Sequence, residues 1–182
     1  MRRPRNDDGS ERGAALIEFS LLFMFLMTIA LGAFEFGMAF RDTLAISSAT
    51  REAARVAGAV GDRTLGDCII LEAGAGALQS ISGNQVAELW VYKTDTTGAV
   101  NTGLRNRYRP SRPTDNPASL ICGTWFPIQR SWIETTRDND GATRDWVGVR
   151  TVYDHAWKTG FLWWSGSVQW FEDAVMHLEP SL

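Results

Sequence analysis

Residues Gly13 to Phe40, GAALIEFSLLFMFLMTIALGAFEFGMAF, constrain the fold more than any other stretch. From Phe19 to Phe34 no side chain is charged, and only Ser20 and Thr28 are polar. Glu35 interrupts the run, and Phe36 to Phe40 resumes it. A helix of about 20 apolar residues crosses a bilayer core. In lipid every backbone polar group must be satisfied within the segment, which a helix achieves. No proline lies between Pro4 and Pro110 to break it. The stretch therefore predicts a helix that is transmembrane over about residues 19–40.

The helix is expected to continue past the membrane to residue 60. Ala45, Ala49, Ala53, Val56 and Val60 recur at spacings of three and four, which gives one narrow stripe of small residues. Such a stripe suits close packing, either against neighbouring helices in a filament or against the protein's own domain. Glu52 and Arg55 can pair at i,i+3 on another face. A helix over 14–60 is about 70 Å long at 1.5 Å per residue, more than twice the bilayer core. Gly58 and Gly61-Asp62 are candidates for its end.

Two acids sit at costly places, Glu18 at the head of the apolar run and Glu35 near its foot. An ionisable residue inside a membrane helix marks a functional site by default, although each acid can also stand at an interface. The order of features around Glu18 is informative: a basic leader with Arg2, Arg3, Arg5 and Arg12, then Gly13, then Ala14-Ala15-Leu16-Ile17-Glu18-Phe19. This resembles a type IV prepilin leader. Together with Phe34-Glu35-Phe36-Gly37 and Ala49-Thr50-Arg51-Glu52-Ala53-Ala54-Arg55, it resembles the TadE-like proteins, minor pseudopilins of the tight-adherence (Flp, type IVc) pilus system. The C-terminal Ala174 to Pro180 resembles the family's ending more loosely. The early proline common in the family's membrane helix is missing from Leu21 to Met24.

The resemblance implies a prepilin peptidase that cuts after Gly13, making Ala14 the N-terminus and Glu18 the fifth residue. Physically, the new amine and Glu18 lie one turn apart on one helix face and can neutralise each other, within a chain or between subunits. Processing is thus expected at Gly13, Ala14, Glu18 and Phe19, and helix packing or assembly at Glu35, Ala45, Ala49, Ala53 and Val56. Two other fates compete for the same stretch. One is an ordinary secretory signal cut after Ala30-Leu31-Gly32, and the other an uncleaved signal anchor.

The organisation expected is α+β. Residues 1–13 form a disordered cytoplasmic leader, 14–60 the long helix, and 64–182 an extracytoplasmic domain with an antiparallel β-sheet. Net charge is −3, which gives no case for nucleic acid. Eight Trp is high for this length, and most lie beyond residue 124; they serve as core filler or face a partner. Cys68 and Cys122 have no CxxC spacing and most simply form one disulfide outside the cytoplasm, two buried thiols being the alternative. Closing that loop would contribute on the order of 4 kcal/mol.

Within the domain, Thr64–Ser80 reads as a short helix capped by Thr64 or Asp67. Gln85–Thr94 and Trp146–Asp154 are strong strands, with Val86, Glu88 and Trp90 facing one way and Ala87, Leu89 and Val91 the other in the first. In the second, Val147, Val149, Thr151 and Tyr153 share a face. Thr102–Pro117 reads as a loop whose Arg105, Arg107, Arg109 and Arg112 form a basic patch. Ser119–Thr135 should hold one or two strands around Cys122. Asn139-Asp140-Gly141 reads as a hairpin turn, Gly160–Trp164 as an apolar loop, and Ser167–Leu178 as a last strand. A calcium loop around Gly141 fails because Val147 would stand at a ligand position. No zinc, phosphate-binding or nucleophile motif appears, and no metal or cofactor is expected.

The function expected is structural: a pilus assembly component, single-pass in a bacterial inner membrane, N-terminus cytoplasmic and domain periplasmic. Its partners would be the prepilin peptidase, other pilins or pseudopilins and the assembly machinery, with incorporation into the fibre left open. The alternative is a membrane-anchored enzyme or ligand-binding domain, for which Asp154-His155 is the one suggestive pair.

Overall fold

The computed structural model describes residues 8–78, 85–140, 143–159 and 165–180, with side chains from Gly13 onward. The first element, α1, runs unbroken over Asp8–Val60 for 53 residues. It starts before Gly13, so Asp8–Arg12 is helical where disorder was expected. Once the apolar run has nucleated a helix, each added residue brings one hydrogen bond and meets no proline. Residues 1–7 of the expected leader lie outside the described residues. At the far end only Gly61 follows the helix. Gly58 lies inside it, where a Cβ would come 3.2 Å from the His177 carbonyl oxygen.

The second helix, α2, spans Gly66–Ala77. Its cap is Leu65 in the left-handed region (φ 67°) with no side-chain bond, so neither Thr64 nor Asp67 caps it. The Asp67 carboxylate is engaged by the sheet instead. Gly74 lets α2 approach closely, since a Cβ there would stand 2.9 Å from Leu89 Cδ1 and 3.4 Å from Ala53 Cβ. Ser80 lies outside the described residues.

Five strands follow: β1 Val86–Thr94, β2 Arg105–Pro110, β3 Trp125–Arg130, β4 Trp146–Ala156 and β5 Ser167–His177. They form one sheet in the order β3-β2-β1-β4-β5, antiparallel throughout. The expected α+β class is met. A register shift between Val86 and Glu88 puts Val86 in the core with Leu89 and Val91, not on the face of Glu88 and Trp90.

Two further expectations are corrected. Arg105–Pro110 is a strand, not a loop. Its Asn106 and Tyr108 point into the core and are fully buried, while Arg105, Arg107 and Arg109 alternate outward. Those arginines form no free patch: Arg107 meets Glu88 at 2.7 Å, Arg109 meets Asp115 at 2.7 Å, and Arg105 donates to Gln129 at 3.0 Å. Nor does Asn139-Asp140 turn a hairpin, because β3 and β4 are not neighbours. The connection closes on itself through Asp145 N–H to the Asp138 carbonyl at 2.8 Å, and Gly141 lies outside the described residues.

The core lies between the helices and one face of the sheet. Val147, Val149, Thr151, Tyr153 and His155 of β4 present the alternating row, all at most 1% exposed. α1 lies along β5 in the same direction: Ser47 bonds Glu172, Gly58 abuts Met176 and His177, and Gly61 abuts Leu178. Trp125 and Trp132 are core residues, while Trp90, Trp146, Trp157 and Trp170 are half-buried. Trp163 and Trp164, with the expected Gly160–Trp164 loop, lie outside the described residues.

Candidate functional site

The lower part of α1 has no domain around it. Every residue from Gly13 to Met27 is exposed, Phe19 at 65% and Phe25 at 64% among them. This helix is long and apolar enough to cross a membrane. The two hydroxyls of its apolar run are already satisfied, Ser20 by the Leu16 carbonyl at 2.7 Å and Thr28 by the Met24 carbonyl at 2.8 Å. Neither therefore needs water or a partner helix. Gly13, Ala14, Glu18 and Phe19 are exposed on this segment, and a Cβ at Gly13 would meet nothing within 4 Å. Nothing in the fold itself calls for glycine there.

Burial starts at Gly32 and continues along one stripe: Glu35, Ala39, Asp42, Ile46, Ala49, Ala53 and Ala57. Each step is three or four residues, so the stripe stays on one face over about six turns. Ala49 and Ala53 are fully buried against the protein's own sheet and α2. Ala45 and Val56 flank them, partly buried against the same core. The structure thus covers the small-residue stripe internally. Thr50 extends the seam by donating to the Ile46 carbonyl and meeting Thr151 Oγ1, each at 2.8 Å.

Two acids on this stripe fasten the helix to the domain. Glu35 has no exposed surface, and its carboxylate accepts hydrogen bonds from the backbone N–H of Lys158 and of Thr159, the latter at 3.1 Å. Seven residues on, Asp42 accepts the Tyr153 hydroxyl at 2.8 Å and meets His155 Nδ1 at 3.0 Å. Burial first, and then the bond to Asp42, hold the Tyr153 phenol well above its ordinary range. His155 is fully buried, stacks on Trp170 at 4.8 Å and meets Trp157 edge-on at 5.0 Å. Asp154 points to the other face, where it accepts from Gln169 at 3.0 Å. The pair proposed for catalysis is therefore split across the sheet, and the imidazole is fully buried.

A third buried acid joins α2 to the sheet. Asp67 takes Arg137 at 2.6 Å, Asn106 Nδ2 at 2.7 Å and the Tyr108 hydroxyl at 2.5 Å. Arg137 also donates to the Gly61 carbonyl at 2.7 Å, just past the end of α1, and lies over the Trp132 ring. A fully buried ion pair needs such added hydrogen bonds to offset desolvation. Cys68 and Cys122 are bonded and tie α2 to the turn before β3. Glu72 lies beside Cys68, but with both sulfurs in one bond no thiolate is left for a metal.

Asp42, Asp67 and the backbone partners of Glu35 were not among the expected site residues. For Asp42 a signal existed, because it stands seven residues after Glu35 and seven before Ala49, on the same helix face. For the Lys158 and Thr159 amides there was none, since every residue but proline offers an N–H.

No curated protein and no solved structure gives a match to this chain. The family described as TadE-like protein matches residues 13–55, the stretch that holds the exposed apolar helix, Glu18, Glu35, Asp42 and the Ala49–Arg55 motif. Over that stretch the chain is similar to the TadE-like proteins.

Proposed function

We propose that this chain is a membrane-anchored minor pseudopilin of a tight-adherence (Flp, type IVc) pilus system. The observation that carries the proposal is the coincidence of the TadE-like match with the free, apolar part of α1, Glu18 included. A prepilin peptidase cuts after Gly13 on the cytoplasmic side of the inner membrane. Ala14 then carries the new amine, and Glu18, one turn along, offers it a counter-charge. The domain built on β1 to β5 stands in the periplasm, clamped to the same helix. Contacts with other pilins use the faces of α1 that the domain leaves open, because Ala49 and Ala53 are already covered.

The test is piliation. A bacterium deleted for this chain should lose surface pili by electron microscopy, and the wild-type chain should restore them. Asp154→Asn, which would damage an enzyme built on Asp154-His155, should restore them equally. Full piliation of the deletion strain would overturn the proposal.

A further inference from the structure

The apolar surface of α1 does not stop where the domain begins. Phe36, Phe40 and Leu44 recur every four residues on the outer face at 55%, 72% and 63% exposure. With Ala39, Thr43 and Trp170 they line a cavity of about 250 Å³ whose walls are almost entirely carbon. It opens between α1 and the start of β5, at the end of the domain nearest the membrane segment.

The depth of this groove follows from the helix being one rigid element. From Ala14 to Phe40 is about 39 Å at 1.5 Å per residue. A bilayer with its headgroups is about 40–45 Å thick and its hydrocarbon about 30 Å. With the Ala14 amine at one headgroup surface, Phe40 lies within the opposite headgroup layer. Counted from Phe19 as the first residue in hydrocarbon, Phe40 lies about 32 Å along, at the far edge of the core. Both counts put the groove in the outer leaflet's interface. The charge agrees: Lys158 is exposed, and its backbone bond to Glu35 fixes it at the same level. Cations at this height face the phosphate layer.

We propose that the lower end of the domain is seated in the outer leaflet, with a lipid acyl chain in the Phe36–Phe40–Trp170 groove and a lipid phosphate at Lys158. This rests on the membrane-anchor reading above. It gives Glu35 a reason for its two amide partners. At that depth water is scarce, and a carboxylate without donors would be costly. The domain is then held at one height and one tilt over the membrane, not swung freely on its helix.

The full chain is purified in detergent and reconstituted into phosphatidylcholine–phosphatidylglycerol vesicles. These carry bromines either near the glycerol end of the acyl chains or near the methyl end. Wild type, Trp170→Phe, Phe40→Trp and Leu44→Trp are compared. Phe40 and Leu44 are open enough that tryptophan there leaves the fold intact. Flotation with the vesicles reports the anchor separately. The expected result is loss of the added F40W emission, greater with shallow than with deep bromines. L44W, about 6 Å further out, should lose less. The quenching of wild type should fall in W170F. Flotation with F40W emission unaffected by either bromine position would overturn the inference alone, and a blue-shifted, unquenched F40W would assign the face to a protein partner instead. Failure to float would overturn the anchor and the inference together.

Discussion

Glu35 and Thr159 lie 124 positions apart in the chain, yet the Thr159 N–H donates to the Glu35 carboxylate at 3.1 Å. With the neighbouring Lys158 N–H, this joins the foot of the domain to the helix one residue past its apolar run. Replacing Glu35 with Ala removes a fully buried acceptor and leaves two backbone donors unpaired. The loss expected is about 2–3 kcal/mol, read by denaturation of the detergent-solubilised chain. Gln keeps one acceptor oxygen and should cost less than Ala. Equal losses for the two would show that the amide bonds contribute nothing.

Asp42, Tyr153 and His155 form the second fastening, and it should behave as a coupled unit. Tyr153→Phe removes a donor but keeps the ring shape, so its cost stays near 1 kcal/mol. Asp42→Ala leaves both a hydroxyl and an imidazole nitrogen buried without their partner and should cost more. A double-mutant cycle over the two should give a coupling of about 1–2 kcal/mol. Additive losses would mean that the bond is not formed in solution.

All three tyrosines of the chain donate to an aspartate: Tyr92 to Asp173, Tyr108 to Asp67 and Tyr153 to Asp42. Burial first, then the adjacent aspartate, hold each phenol well above its ordinary value near 10. A raised native value means that the stabilisation is complete below the unfolded phenol's value, about 10, and is lost as pH rises above it. Stability should therefore be insensitive to these groups from neutral pH to about 10 and fall beyond that. Absorbance at alkaline pH should show tyrosinate appearing together with unfolding. A tyrosine that ionises in the folded protein near its ordinary value would contradict this.

Much of this architecture was legible because it rests on periodicity. The long apolar helix was legible as an unbroken uncharged run, and the small-residue stripe and the Val147–Tyr153 alternation each repeat at the period of their element. By charge Arg105-Asn106-Arg107-Tyr108-Arg109 reads as a basic loop, yet it is a strand. Its alternation with Asn106 and Tyr108 is a strand signal of period two. The helix clamp was half legible: Glu35 and Asp42 share a face at a spacing of seven, but their partners come from a distant strand and a backbone loop. The Asn139-Asp140-Gly141 signal was local. A turn does not say which strands it joins, and here long-range pairing placed β4 beside β1.

The central claim is that α1 begins, in the mature protein, at Ala14. N-terminal sequencing and intact mass of the chain extracted from membranes, with and without the cell's prepilin peptidase, test it most directly. The account predicts a chain starting at Ala14 in cells that have the peptidase and an uncut chain in cells that lack it. A start near Ala33, or an uncut chain in both, would contradict it.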